Sequence, residues 1–226
     1  MIKKTLILLT LAILCDAFLF VFVWLNHSFV TGLNPFLGLI VVLLSLLIGI
    51  PLAFFSIKKL VRYCRGSVSF TPDILFSLAF FIFSIGGFFV GPLFGPTTID
   101  IQLHDTYFVI ANAHVMILLA LVSLIFSAVY AFYPAVTGKA LNAPMGYIHF
   151  GITLIGLCLI GWPVHYEGIA GMPRRYFDYS DWTTINRFAG SNIFQMWVSI
   201  LLICAQLLFV INLIYSAVNK PSPPPH

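Results

Sequence analysis

Runs of about twenty residues with almost no charge recur along the chain, and they restrict its fold more than any other feature. They extend from about Thr5 to Leu25, Phe36 to Ser56, Ile74 to Leu93, Thr106 to Pro134, Met145 to Val164 and Ser191 to Val218. A helix rising about 1.5 Å per residue needs about 20 residues to cross roughly 30 Å of hydrocarbon, so each run suffices for one crossing. Composition agrees: 61% of residues are apolar and 8% charged, whereas about a quarter of a soluble domain is charged. With a mean hydropathy of +1.05, the expected fold is all-α, a polytopic membrane protein built as a six-transmembrane-helix bundle. The lipid bilayer is its first partner.

The net charge of +4 resides in connecting segments, so it reports orientation in the membrane and not nucleic-acid binding. Placing alternate loops on one side gathers Lys3, Lys4, Lys58, Lys59, Arg62, Arg65, Lys139 and Lys220, and leaves Arg174, Arg175 and Arg187 opposite. The positive-inside rule then puts both termini in the cytoplasm. The loops after the third and fifth runs share the outer face with Asp100, His104, Asp105, Glu167, Asp178 and Asp181. A polar site built from two outer loops is the expectation.

Other signals are local. The N-terminal apolar run is too long for a signal peptide and has no small-residue cleavage site, so it reads as an uncleaved first helix. Asp16 lies near its midpoint, where a carboxylate needs a partner or a proton. It faces a bundle interior or another subunit, or serves a proton path. Pro51 predicts a kink in the second run, and Gly86, Gly87 and Gly91 allow close helix approach in the third. Cys15, Cys158 and Cys204 are embedded in apolar segments and Cys64 in a basic loop, without metal or disulfide spacing. No Gly-rich phosphate loop or nucleophile elbow occurs.

The stretch from Asp100 to His114 concentrates ionisable groups at the mouth of the fourth run. Such groups cost roughly 2.5 to 3.5 kcal/mol near the bilayer centre and are a functional hypothesis by default. His114 is eight residues past Thr106, about 12 Å below the outer surface. That depth suits an axial haem ligand, or a histidine hydrogen-bonded between helices. Arg174 and Arg175 can pair with Asp178 and Asp181 at the membrane surface.

The run His104-Asp105-Thr106-Tyr107-Phe108-Val109 through His114 resembles the tenth helix of haem-copper oxidase subunit I, the catalytic polypeptide of cytochrome c and quinol oxidases. The loop from His165 through Gly171-Met172-Pro173-Arg174-Arg175 to Asp181 is similar to the segment before that family's last helix, and Phe83-Ser84-Ile85-Gly86-Gly87 to its ninth. The resemblance covers about 74–218, the last four of twelve family helices, and the orientation read from charge agrees with it. It implies that His114 is an axial ligand of the low-spin haem and that Arg174 and Arg175 bind haem propionates, a task suited to planar guanidinium groups. His104 and Asp105 match positions near the propionates, where the family also holds magnesium or manganese with help from other residues.

Departures from the family pattern limit the expected activity. Two histidines flank one residue on the family's tenth helix, and residues two apart point about 200° apart on a helix. Here the first is Asn112, a poor iron ligand, so the oxygen-reducing haem loses its proximal imidazole. The copper-ligand histidines belong to earlier helices, no adjacent His pair or His-Pro-Glu run exists here, and no copper is expected. The opposite ligand of the low-spin haem is also on an early helix. His27 is at the outer edge and His149 near the inner side, while Met196 is at a depth like that of His114; methionine there is ordinarily packing.

The expected organisation is two N-terminal helices of unmatched origin with a basic loop over 1–73, an oxidase-like four-helix region over 74–218, and a disordered Pro-rich tail over 219–226. The expected function is an aerobic respiratory-chain subunit in the bacterial inner membrane. It binds one low-spin haem and transfers electrons but does not reduce oxygen alone, with the second axial ligand from another respiratory subunit or a second copy. The alternative is a haem-free structural or assembly subunit.

Overall fold

The computed structural model describes residues 70–93, 102–112, 116–175 and 189–218, together with Phe36, Ile40, Leu43, Leu44, Leu47 and Pro51. Its helices are α1 (Pro72–Leu93), α2 (Tyr107–Ile110), α3 (Met116–Thr137), α4 (Ala143–Ile169) and α5 (Ala189–Val218). Among the described residues there is no strand, only an isolated antiparallel bridge between Thr106 and Pro173. The stretches Leu118–Thr137, Ala143–Ile169 and Gly190–Val218 are long and apolar enough to cross a membrane. The first predicted run, with Asp16, lies outside the described residues. The second is helical at its six described positions.

Local chemistry explains the helix ends. Pro72 opens α1 and Asp73 occupies its first turn, where a fixed φ and a negative charge suit a helix N-terminus. α3 stops at Gly138, whose φ of +69° supports an N–H bond back to the Pro134 carbonyl at 3.0 Å. Asn142 caps α4 by accepting from the Met145 N–H at 3.1 Å. The sequence predicts that α4 ends at Val164, but it continues to Ile169. The extra turn is polar in sequence, and in the fold Glu167 and Gly168 pack inward while Tyr166 and Ile169 stay exposed.

Apolar burial does little to join helices already surrounded by lipid, so close packing and interhelical hydrogen bonds must do it. α1 lies along α3, with Phe80, Phe81 and Ala120 forming a buried cluster. Beside it, Ser77 and Ser127 approach to 2.5 Å, and each hydroxyl lies 2.9 Å from the Asp73 carbonyl. Two hydroxyl hydrogens are thus shared among three contacts. α4 lies on α5 at Gly156, where a Cβ would come within 2.6 Å of Leu202. It meets α1 at Gly146, where a Cβ would come within 2.7 Å of Pro72. At the centre the His149 imidazole is fully buried, between Phe126 at 4.5 Å and Phe209 at 5.0 Å, with Tyr130 Oη 3.2 Å from its Nδ1.

One end of the bundle is closed by an amide network. Asn212 Oδ1 accepts from the Asn142 N–H at 3.0 Å, its Nδ2 donates to the Asn142 carbonyl at 3.1 Å, and Ser216 Oγ donates to Asn212 Oδ1 at 3.2 Å. Lys139 Nζ donates to the Ala217 carbonyl. The α3–α4 loop is therefore fastened to the last turns of α5.

Candidate functional site

The other end is where the two polar loops meet. α4 terminates with Ala170 as its cap and Gly171 at φ +87°. The Gly171 N–H bonds the Gly168 carbonyl at 3.1 Å and the Met172 N–H bonds the Glu167 carbonyl at 2.9 Å, the paired closure that a left-handed glycine permits. The chain then runs antiparallel to the segment entering α2. Tyr107 N–H donates to the Met172 carbonyl and Arg174 N–H to the Asp105 carbonyl, both at 2.8 Å, around the Thr106–Pro173 bridge. Pro173 has no N–H to give, so the neighbouring residues carry the ladder.

Thr106 turns the entering segment into α2. Its Oγ1 donates to the Leu103 carbonyl at 2.8 Å and accepts from the Phe108 N–H at 3.2 Å. Phe108 then seats on Gly168 so closely that a Cβ on the glycine would lie 2.0 Å from the Phe108 nitrogen. The Phe108 ring also meets the edge of His165 at 5.9 Å. A glycine at 168 is thus required for the loops to register.

The sequence-derived site residues divide into three groups. Asp105 and Arg174 come together, with Arg174 Nη2 3.4 Å from Asp105 Oδ1. At that length, and with Asp105 82% exposed against 12% for Arg174, the side-chain contact is worth at most about 1 kcal/mol; the backbone bond fixes the arginine. The Arg174 Nε is buried without an acceptor, so the guanidinium has donor capacity unspent by the protein. Arg175 is exposed and adopts φ +69°, a left-handed conformation costing about 1 kcal/mol for a residue with a Cβ. Such strain concentrates at functional turns.

His104 is half-buried beside Asp105. No group of three or more His, Cys, Asp or Glu able to hold a metal exists among the described residues, so these two do not form a metal cage by themselves. His114, Asp100, Asp178, Asp181 and Arg187 lie outside the described residues. Asn112 is half-buried, with Oδ1 buried and unpartnered.

Sequence reasoning left two residues of this end without a role. His165 Nδ1 is 2.8 Å from the Gly161 carbonyl, which can only accept, so Nδ1 carries the hydrogen and the buried Nε2 has no protein partner. Glu167 is completely buried, its Oε1 accepting from Gln195 Nε2 at 3.1 Å. The available signal was an acid within one turn of an apolar run and beside a glycine.

Comparison with known proteins gives one consistent result. The family model for cytochrome c and quinol oxidase polypeptide I matches residues 2–206, a match that includes the two N-terminal runs. The chain is 36% identical over 195 residues to an alternative cytochrome c oxidase subunit 1 of Bradyrhizobium diazoefficiens, covering 86% of this chain and 33% of that protein. It is 33% identical over 195 residues to a putative cytochrome c oxidase subunit 1-beta of Streptomyces coelicolor, covering 84% and 33%. It is 29% identical over 208 residues to cytochrome c oxidase subunit 1 of Bacillus subtilis, covering 92% and 33%. The chain therefore spans about a third of the length of these relatives. A helical membrane architecture and a match over most of its length lead to one assignment: this chain is an integral membrane protein of the cytochrome c and quinol oxidase polypeptide I family, a subunit I-like respiratory protein.

Proposed function

We propose that this chain holds one low-spin haem at its Arg174 end and serves as an electron-transfer subunit of an aerobic respiratory complex. The observation that carries this reading is the state of Arg174. Its backbone is fixed between two loops while its buried Nε lacks an acceptor, and a planar guanidinium in that state is suited to a carboxylate. Arg175 adds an exposed guanidinium on the same turn. The residues present fit the acidic arms of a porphyrin.

His114 would supply one iron ligand and a partner chain or second copy the other. A bound haem supplies a one-electron redox centre. Arg174 and Arg175 would orient it through its propionates, and the Phe108–Gly168 contact would exclude water beneath them. Asn112 offers only a neutral amide, so the chain alone would not reduce oxygen and would hold no copper. His104 and Asp105 would give two donors for magnesium and require completion by other residues. The chain would lie in a bacterial inner membrane with both termini cytoplasmic. Residues 1–73 would be two helices with a basic loop, within the stretch that the family model also matches, 74–218 the four-helix region and 219–226 a disordered tail.

A haem-free structural or assembly role is the second reading. It is favoured by the way Asp105, Thr106, Tyr107, Met172 and Arg174 close the junction with protein bonds alone. A reduced-minus-oxidised spectrum of the protein in mild detergent, expressed with haem supply and partner genes, separates the two. The haem reading requires a sharp low-spin band that His114→Ala abolishes. A colourless preparation removes it.

A further inference from the structure

Glu167 has no exposed surface, although it is ionisable and sits in the last turn of α4, a helix long and apolar enough to cross a membrane. An ionisable group in that setting is expensive unless it does something. Its Oε1 accepts from Gln195 Nε2 at 3.1 Å, and the same amide also contacts Ser191 Oγ at 3.2 Å. Its Oε2 is buried with no partner.

The groups around it identify the chemistry. α5 presents Ser191 and Gln195, neither of which titrates or carries charge. α2 presents the backbone and ring of Phe108 against the neighbouring Gly168. The turn after α4 presents the Met172 N–H, which bonds the Glu167 main-chain oxygen, and the Arg174 side chain there contacts Asp105 at 3.4 Å. His165, two residues earlier, turns its Nδ1 hydrogen to Gly161 and its ring to Phe108. No cation and no metal-holding group of three meets the carboxyl among the described residues.

Burying an ionised carboxylate costs more than hydrogen bonds from neutral groups such as Gln195 and Ser191 return. A carboxylic acid avoids most of that deficit, since it is neutral and Oε2–H replaces an unsatisfied anionic oxygen. We propose that Glu167 is a buried proton-binding site of this chain. A proton adds to a lone pair of Oε2, forming one O–H bond with no electron transfer, and Oε1 remains the carbonyl oxygen that Gln195 holds. The main-chain oxygen of the same residue anchors the turn carrying Arg174, so the proton site and the loop junction share one residue. This inference is independent of haem binding.

The test is infrared spectroscopy on the full chain reconstituted in lipid vesicles at neutral pH, in H₂O and D₂O. A carbonyl stretch of a protonated carboxyl is expected that shifts downward on deuteration and disappears in Glu167→Gln. Gln195→Leu should shift the same band upward, because the carbonyl oxygen loses its hydrogen bond. An unchanged band in Glu167→Gln, or an ionised-carboxylate signal lost in that variant, would overturn the proposal. If Glu167→Gln does not fold, Gln195→Leu decides: a band that stays in place overturns it.

Discussion

The two ends of this bundle solve the same problem differently. At the Asn142 end, a loop is joined to a helix by Asn212 and Ser216, and the Asn142 N–H and carbonyl both have partners. At the Arg174 end, two loops are joined by a backbone bridge, yet Arg174 Nε, His165 Nε2, Glu167 Oε2 and Asn112 Oδ1 are buried without protein partners. Toward the Asn142 end Thr71 Oγ1, His149 Nε2 and Thr153 Oγ1 are also buried without partners, so the difference lies in the loop junctions themselves. Buried polar groups are nearly always bonded, and the Asn142–Asn212–Ser216 junction is closed where the Arg174 junction leaves atoms open. The contrast separates what holds the helices from what they are held for.

The largest test strikes the Arg174 end through its packing. Gly168→Ala places a Cβ against the Phe108 backbone, where no side chain can yield. It should destabilise the protein by about 3 kcal/mol, read by unfolding in detergent, and should part the two loops. Asn212→Leu strikes the Asn142 end, removing two hydrogen bonds and leaving the Asn142 N–H to Ser216 and its carbonyl to the Gly146 N–H. Its expected cost is about 2 kcal/mol, with any bound haem unaffected. A loss of haem in Asn212→Leu without unfolding would break the distinction between the ends.

Smaller effects sharpen it. Arg175→Gly relieves the left-handed backbone at φ +69° and should raise the unfolding midpoint, a gain of about 1 kcal/mol, while weakening haem retention. Stabilisation together with lost retention identifies strain kept for a ligand; stabilisation alone identifies an idle arginine. Asp105→Ala removes a contact to a side chain that is 82% exposed, and should change stability by about 0.5 kcal/mol or less.

Much of this arrangement is legible in the sequence. Apolar runs and loop charge place the loops after the third and fifth runs at one end, and the structure brings Asp105 and Arg174 into contact there. The last turn of α4 was not legible, because His165 and Glu167 look like loop residues until Gly161, Phe108 and Gln195 supply their surroundings. Nor was the Arg174–Asp105 contact, which the antiparallel bridge brings about; Asp178 and Asp181, the partners that charge patterning offers, lie outside the described residues. Hydropathy gives no sign that rings from three neighbouring helices, Phe76, Phe126 and Phe209, enclose His149.

The most direct measurement is the haem-to-protein ratio of the chain purified with its partner subunits, compared among the wild type, Arg174→Ala/Arg175→Ala and Asn212→Ala at equal amounts of folded protein. The account predicts a coloured wild type, a coloured Asn212→Ala and a double arginine variant depleted of haem. A wild type without haem, or equal ratios in all three, would contradict it.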